Sequence, residues 1–147
     1  MKNLLLILVS IFSIDVASPN PLKKTDPEHA QLTAMGYDIS DLESGSIIER
    51  NNTRIFVVKS DQYTLVSRFY RTDPAKVARG EYQLLKLINK LNRDLSYTLT
   101  IGEDKDSLIC SVAYRGTYDR KSFATVVSEI ERCNVIFDIE PAIMEFD

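Results

Sequence analysis

Cys110, Cys133 and His29 carry the most reactive side chains in this chain of 147 residues, which has two cysteines, one histidine and no tryptophan. Nucleophilic catalysis needs a thiol or hydroxyl with a base in reach. His29 falls in a short helical stretch far in sequence from both cysteines, and no nucleophile motif surrounds any serine. The cysteines are not spaced like metal ligands. Glu103, Asp104 and Asp106 gather three carboxylates, but a calcium loop needs a regular ligand ladder, a turn-permitting glycine and a closing bidentate glutamate. The stretch therefore reads as an acidic β-turn. No glycine-rich loop is present to cradle a phosphate. No catalytic, cofactor-binding or metal-binding residue is assigned, and the chain reads as non-enzymatic, with a small hydrolase resting on His29 as a lesser alternative.

Binding chemistry has three sequence candidates. Lys76, Arg79, Lys86, Lys90 and Arg93 form a basic stripe that suits an acidic protein segment or a membrane surface; a solvated helix face has the same pattern. Asn89 and Asn92 lie three apart on the same helix and could clamp a partner's backbone, or spend their amides on the loop and strand that follow. Tyr63, Tyr70, Tyr97, Tyr114 and Tyr118 could stack on bases. However, a formal net charge of −3 argues against nucleic acid, and aromatic residues are ordinary sheet-packing material. The expected partner is a protein.

The N-terminus bears on compartment. Met1-Lys2-Asn3 is a short basic start, Leu4 to Ile14 is an apolar run, and small residues follow before Pro19-Asn20-Pro21. These are the parts of a secretory signal. The run is too short to span a bilayer, which takes ~20 apolar residues, so no stable membrane anchor is expected in the mature chain. Cleavage after Ala17 avoids a proline beside the scissile bond. Residues 1–18 are therefore expected to leave before folding, and the mature chain to be periplasmic or secreted. The alternative is a cytoplasmic protein that retains an N-terminal helix. An oxidising compartment would permit a Cys110–Cys133 disulfide. Cys110 lies ~16 Å along its strand from Arg115, and Cys133 lies ~21 Å up its helix from Asp119. A bridge and a pair of buried free thiols are both compatible with that geometry.

With 44% hydrophobic and 27% charged residues, one globular domain is expected. A polar connector, 19–25, precedes a domain over 26–137 and a tail over 138–147. Asp26-Pro27 marks a helix start, Glu28 to Met35 a short helix and Gly36 its left-handed stop. Strands follow at Ser46 to Arg50, Thr53 to Lys59 and Tyr63 to Arg71, with Asn51-Asn52 as a two-residue turn. From Ala75 to about Asp94, apolar residues at helical spacing give a second helix. Strands at Ser96 to Gly102 and Ser107 to Tyr114 come next. In the latter, Leu108, Cys110, Val112 and Tyr114 share one face and Ile109, Ser111 and Ala113 the other. A last helix, Arg120 to Phe137, buries Phe123, Val126, Val127, Ile130, Cys133 and Phe137. The order is α-β-β-β-α-β-β-α, an α+β fold with an antiparallel sheet and helices packed on one face. The tail is expected to add an edge segment or dock on a neighbour.

The run Leu87-Ile88-Asn89-Lys90-Leu91-Asn92-Arg93, the acidic hairpin turn before Leu108, and the Gly116-containing link into a helix ending near Phe137 resemble the YbjN domain family. Met35-Gly36-Tyr37 fits that family's early turn. The resemblance covers roughly Ala30 to Phe137. It departs at Asp104-Lys105-Asp106, where the family commonly has Asp-Gly, and at Gly116-Thr117, where it has a double glycine. It implies a type III secretion chaperone-like fold, a bacterial source, a regulatory, chaperone-like or protein-interaction role, and a homodimer as one partner arrangement. A cytosolic secretion chaperone is the corresponding alternative. The family has no agreed catalytic residues, so none is carried over.

Overall fold

Three aspartates begin the three main helices. Asp26 precedes α1 (Pro27–Ala34), Asp73 precedes α2 (Pro74–Leu91) and Asp119 precedes α3 (Arg120–Glu131). The Asp73 carboxylate accepts the Ala75 N–H at 2.8 Å, and that of Asp119 accepts the Ser122 N–H at 2.7 Å, satisfying donors that a helix start leaves free. Asp26 does not cap. Its carboxylate takes the Lys23 N–H at 2.8 Å and pairs with Lys59 at 3.1 Å. Lys59 also pairs with the buried Glu28 at 2.9 Å, so α1 is pinned to the sheet by charge. The structure, a computed structural model, describes residues 19–147. The expected leader at 1–18 lies outside the described residues.

The sheet has six strands, all antiparallel, in the order β1-β2-β3-β4-β6-β5. They are β1 (Asp38–Leu42), β2 (Gly45–Arg50), β3 (Thr53–Lys59), β4 (Tyr63–Arg71), β5 (Thr98–Ile101) and β6 (Ser107–Arg115). The sequence reading has five; β1 is the one it lacks. Its sequence, DISDL, carries two aspartates and only two apolar residues, and it is an edge strand with mostly exposed side chains, the setting where charge guards against stray pairing. Asn51 and Asn52 both take positive φ, +50° and +62°, as the tight β2–β3 hairpin requires. The Cα register sets Ile48 opposite Ile55 in one row and Val57, Val66 and Val112 in line in the next, both on the same face of the sheet. These rows join Val77, Leu84 and Ile88 of α2 and Phe123, Val127 and Ile130 of α3 in the main core.

Two helical expectations change. The second helix is not continuous, because Gly80 (φ −114°, ψ 21°) bends it. A Cβ at Gly80 would sit 2.7 Å from Phe146 Cε1, so the bend and the absent side chain together admit that ring. The last helix stops at Glu131. A 3₁₀ turn (Cys133–Val135) and a four-residue helix α4 (Ile136–Ile139) follow, because Cys, Asn and Val in succession are weak helix formers. The break shifts the inward face: Ile136 is fully buried, while Val126 and Phe137 are only half-buried. The tail docks on its own domain. Ile143 and Phe146 are buried in the main core, and the Asp73 N–H donates to the Phe146 carbonyl at 2.8 Å.

One ion pair ties the outer strands to α3. Arg50 at the end of β2 grips Glu131 with both arms, Nη2–Oε2 at 2.5 Å and Nε–Oε1 at 3.1 Å. It also donates to the Met35 carbonyl at 2.7 Å. Its guanidinium lies over the Tyr37 ring, 4.4 Å from the centroid. Burial pushes the Glu131 carboxyl up. Hydrogen bonding and charge from Arg50, the nearby Tyr37 hydroxyl (which lies outside good hydrogen-bond geometry) and the Arg68 charge together outweigh burial and hold it below the ordinary range.

Two outcomes follow from this packing. Phe146→Ala removes a buried ring and should lower unfolding stability by ~3 kcal/mol in urea titration; an unchanged midpoint would mean that the tail is not part of the cooperative unit. The depressed Glu131 pKa stabilises the fold above about pH 4.5, and that contribution disappears as pH falls through the lower folded value. Arg50→Ala should cost about 2 kcal/mol near neutral pH and make stability less sensitive to acid, read as urea midpoints across the acid range.

Candidate functional site

The sheet has two faces, and the described helices lie on one. Alternate residues point the other way: Phe56 and Val58 of β3, Tyr63, Leu65, Ser67 and Phe69 of β4, and Ile109, Ser111 and Ala113 of β6. Val58, Tyr63 and Leu65 form a second apolar cluster with Phe56, Phe69 and Ala113, all of them strand residues among those described. Phe56 and Phe69 meet edge to face at 4.9 Å between centroids. A sheet solvated on one side shows buried and exposed residues alternating along each strand. Here five consecutive residues, Tyr63–Ser67, are buried, and so are Ser107–Ser111. Both faces of the central strands are thus removed from water.

Within this apolar face sits a set of hydroxyls. Ser67 and Ser111 are Cα partners across β4 and β6, and Thr100 of β5 is opposite Ile109, two residues along on the same face. The side-chain oxygens of all three are buried with no hydrogen-bond partner. An unsatisfied buried hydroxyl costs about 1–3 kcal/mol. The face therefore combines apolar side chains with three hydroxyls that have no partner.

The helix-facing side holds the cysteines. Cys110 and Cys133 are both buried and free, and their interaction raises the Cys110 pKa and lowers that of Cys133. The Tyr70 hydroxyl lies 3.2 Å from Cys133 Sγ, and Arg68 stacks over the Tyr70 ring while donating to the Glu131 carbonyl. The interaction with Cys133 and then burial hold Cys110 far above the ordinary thiol range, so it keeps its proton. Burial raises Tyr70 likewise. A thiol so protonated and so enclosed is a poor nucleophile.

The residues singled out from the sequence are dispersed. Arg79, Lys86, Asn89, Lys90 and Arg93 are exposed along α2 and beyond its end, whereas Lys76 is half-buried and donates to the Asp147 carbonyl. Lys90 pairs with Glu140 of the tail at 3.1 Å. Asn92 does not join Asn89 in a clamp. Its amide accepts the Leu99 N–H at 2.8 Å and donates to the Leu99 carbonyl at 3.0 Å, fastening β5 to the end of α2. Tyr63 faces the second cluster, while Tyr70, Tyr97, Tyr114 and Tyr118 pack against the main core, so the five make no common platform. His29 is half-buried on α1. Among the described residues no group of three or more His, Cys, Asp or Glu side chains could hold a metal ion, and no helix is long and apolar enough to cross a membrane. What sequence reasoning missed is the face turned away from the described helices. Its signal is the imperfect alternation of YTLVS and SLICS, where apolar and small residues run together without a charge.

No protein-family model matches the sequence, and no curated protein matches it in sequence. Solved structures do match in fold. YbjN of E. coli, a proposed transcription regulator, superposes with a TM-score of 0.58 at 14% identity, covering 80% of this chain and 90% of that one. An uncharacterised protein from Methanothermobacter thermautotrophicus gives 0.52 at 13% identity, over 78% of this chain and 94% of that one. The shared α+β architecture, over most of both chains, makes this a protein with a YbjN-like fold.

Proposed function

We propose that this chain is an exported, non-enzymatic YbjN-like module that acts by binding another polypeptide on the face of its sheet opposite the described helices. The observation that carries the reading is the burial of both faces of β4 and β6, with unpartnered Ser67, Ser111 and Thr100 hydroxyls set among apolar side chains. A surface of that make-up recognises an apolar segment carrying a few polar groups. Regulation, the role proposed for YbjN of E. coli, is one use of such binding. The ionisable groups near the core are occupied structurally: Arg50 with Glu131, Lys59 with Glu28 and Asp26, and Lys105 with Glu81 at 2.7 Å. Support for export comes from the basic start and apolar run of residues 1–18.

A photo-crosslinking residue at Ala113, half-buried on this face, should trap one discrete protein in the native host, and Phe69→Asp in the same chain should abolish the adduct. The same probe at Arg79, on the basic side of α2, should trap none; an adduct there alone would move the site to that helix. Mass spectrometry of the native protein should find a mature N-terminus near Ser18. An intact Met1 would replace export with the cytoplasmic alternative.

A further inference from the structure

Cys110 and Cys133 are 0 and 1% exposed, and neither takes part in the face proposed to bind a partner. Cys110 lies on β6, with Arg68 of β4 as its Cα partner on one side and Leu99 of β5 on the other. Three side chains that flank it reach the segment Glu131–Cys133. Arg68 donates to the Glu131 carbonyl, the Tyr70 hydroxyl lies 3.2 Å from Cys133 Sγ, and the Tyr97 hydroxyl lies 3.5 Å from the Cys133 carbonyl. Arg68 and Tyr70 stand on the β4 side of β6. Tyr97, two residues before Leu99 and on the same face, stands on the β5 side. The segment is thus held across β6 from both sides, and Cys110 is the β6 residue beneath it. The effect of each thiol on the other's ionisation reflects the same closeness.

The two positions differ in how readily they open. Cys110 is in the middle of β6, which is paired on both edges. Cys133 begins a single 3₁₀ turn between two helices, and the next two residues, Asn134 and Val135, are exposed. A lone 3₁₀ turn has poorer hydrogen bonds and opens locally, whereas a central strand opens only with the sheet around it. Cys133 also holds its proton less tightly. Its interaction with Cys110 lowers its pKa most, burial opposes, and the Tyr70 hydroxyl and Arg68 charge add to the lowering.

We infer that Cys110 and Cys133 become joined by a disulfide in the mature protein, with Cys133 the first to react. The structure shows the reduced pair. The oxidant is a small or protein-borne disulfide of the kind found in oxidising compartments. The Cys133 thiolate attacks one of its sulfurs and expels the other half as a thiolate, leaving a mixed disulfide. The Cys110 sulfur, on losing its proton, attacks Cys133 Sγ and expels the second half. Overall, two protein thiols become one S–S bond while one oxidant disulfide becomes two thiols. The compartment rests on the export reading above, whereas the pairing rests on the geometry alone. The bridge bolts the end of α3 to the middle of β6 and restricts the unfolded chain between them. Because β6 is paired with β4, it also steadies the strands that carry Ser67 and Ser111 on the far face.

The test equilibrates the reduced full chain with glutathione buffers of increasing oxidising strength, quenches in acid and maps peptides by mass spectrometry without reduction. A linked Cys110–Cys133 peptide pair should replace both free thiols, and the oxidised chain should melt ~10 °C above the reduced one. Free thiols, or glutathione on both cysteines, at the oxidising end overturn the pairing. Single variants assign the order: Cys110→Ser, which keeps Cys133, should take up glutathione at least ~10-fold faster than Cys133→Ser. Equal rates, or a faster Cys110, overturn the order. Alanine replaces serine in any variant that circular dichroism shows to be misfolded. The same map on protein alkylated as it leaves the native host separates the bridge from export. Linked peptides with a mature N-terminus support both, and linked peptides with an intact Met1 sink export alone. Free thiols with a mature N-terminus overturn the bridge and leave export standing; free thiols with an intact Met1 overturn both.

Discussion

The pairing of β4 with β6 is the constraint on which the rest of the molecule depends. Nine consecutive Cα pairs run from Tyr63↔Arg115 to Arg71↔Ser107. They join two units that are each local in sequence, the β1–β4 meander and the β5–β6 hairpin. The partners are far apart in the chain, and α2 must be placed before they can meet. Pairing of this kind carries a loop-closure penalty that only burial can offset. Burial on both faces of the two strands provides it: the main core lies on one side and the second apolar cluster on the other. A register slip of one residue would turn one strand over relative to the other. It would bring either Ser67 or Ser111 to the helix side and turn Val66 or Cys110, respectively, away from it. Neither face is indifferent to which set it receives, so the register is fixed twice.

The two faces are finished differently. On the helix side, polar groups at depth are mostly paired, with Arg50 on Glu131, Arg68 on the Glu131 carbonyl and Tyr70 on Cys133. On the other side the Ser67, Ser111 and Thr100 hydroxyls are buried and left without partners. Buried polar groups are normally satisfied, and exceptions call for an explanation. Strain does not supply one here, because serine and threonine sit comfortably in strands. These hydroxyls stand on the face turned away from the described helices, which supply them no partner.

Much of this architecture was legible in the sequence, and the misses share a cause. The helix start at Asp26-Pro27, the Asn51-Asn52 turn and the left-handed Gly36 are local signals, each decided within a few residues. The inward and outward sets of β6 follow from the period of two. β1 escaped because an edge strand is stabilised by its neighbour's hydrogen bonds and need not be apolar itself. The bend at Gly80 escaped because its cause, the Phe146 ring, lies at the far end of the chain. The same holds for Arg50 and Glu131, whose partnership leaves no trace in spacing. Of the candidate site residues, Asn92 could be placed on α2 but not assigned its duty to Leu99, since that depends on where β5 begins.

The C-terminal tail shows how an irregular segment completes a core. The tail, Asp138 to Asp147, was set apart from the domain because it mixes acids with apolar residues at no regular period. The fold resolves that mixture: Ile143 and Phe146 point inward, Ile139 and Met144 stay exposed, and 3₁₀ turns of residues 141–146 supply the irregular spacing. An aperiodic segment can thus close a core when the groove it fills is shaped by a glycine rather than by a helix face.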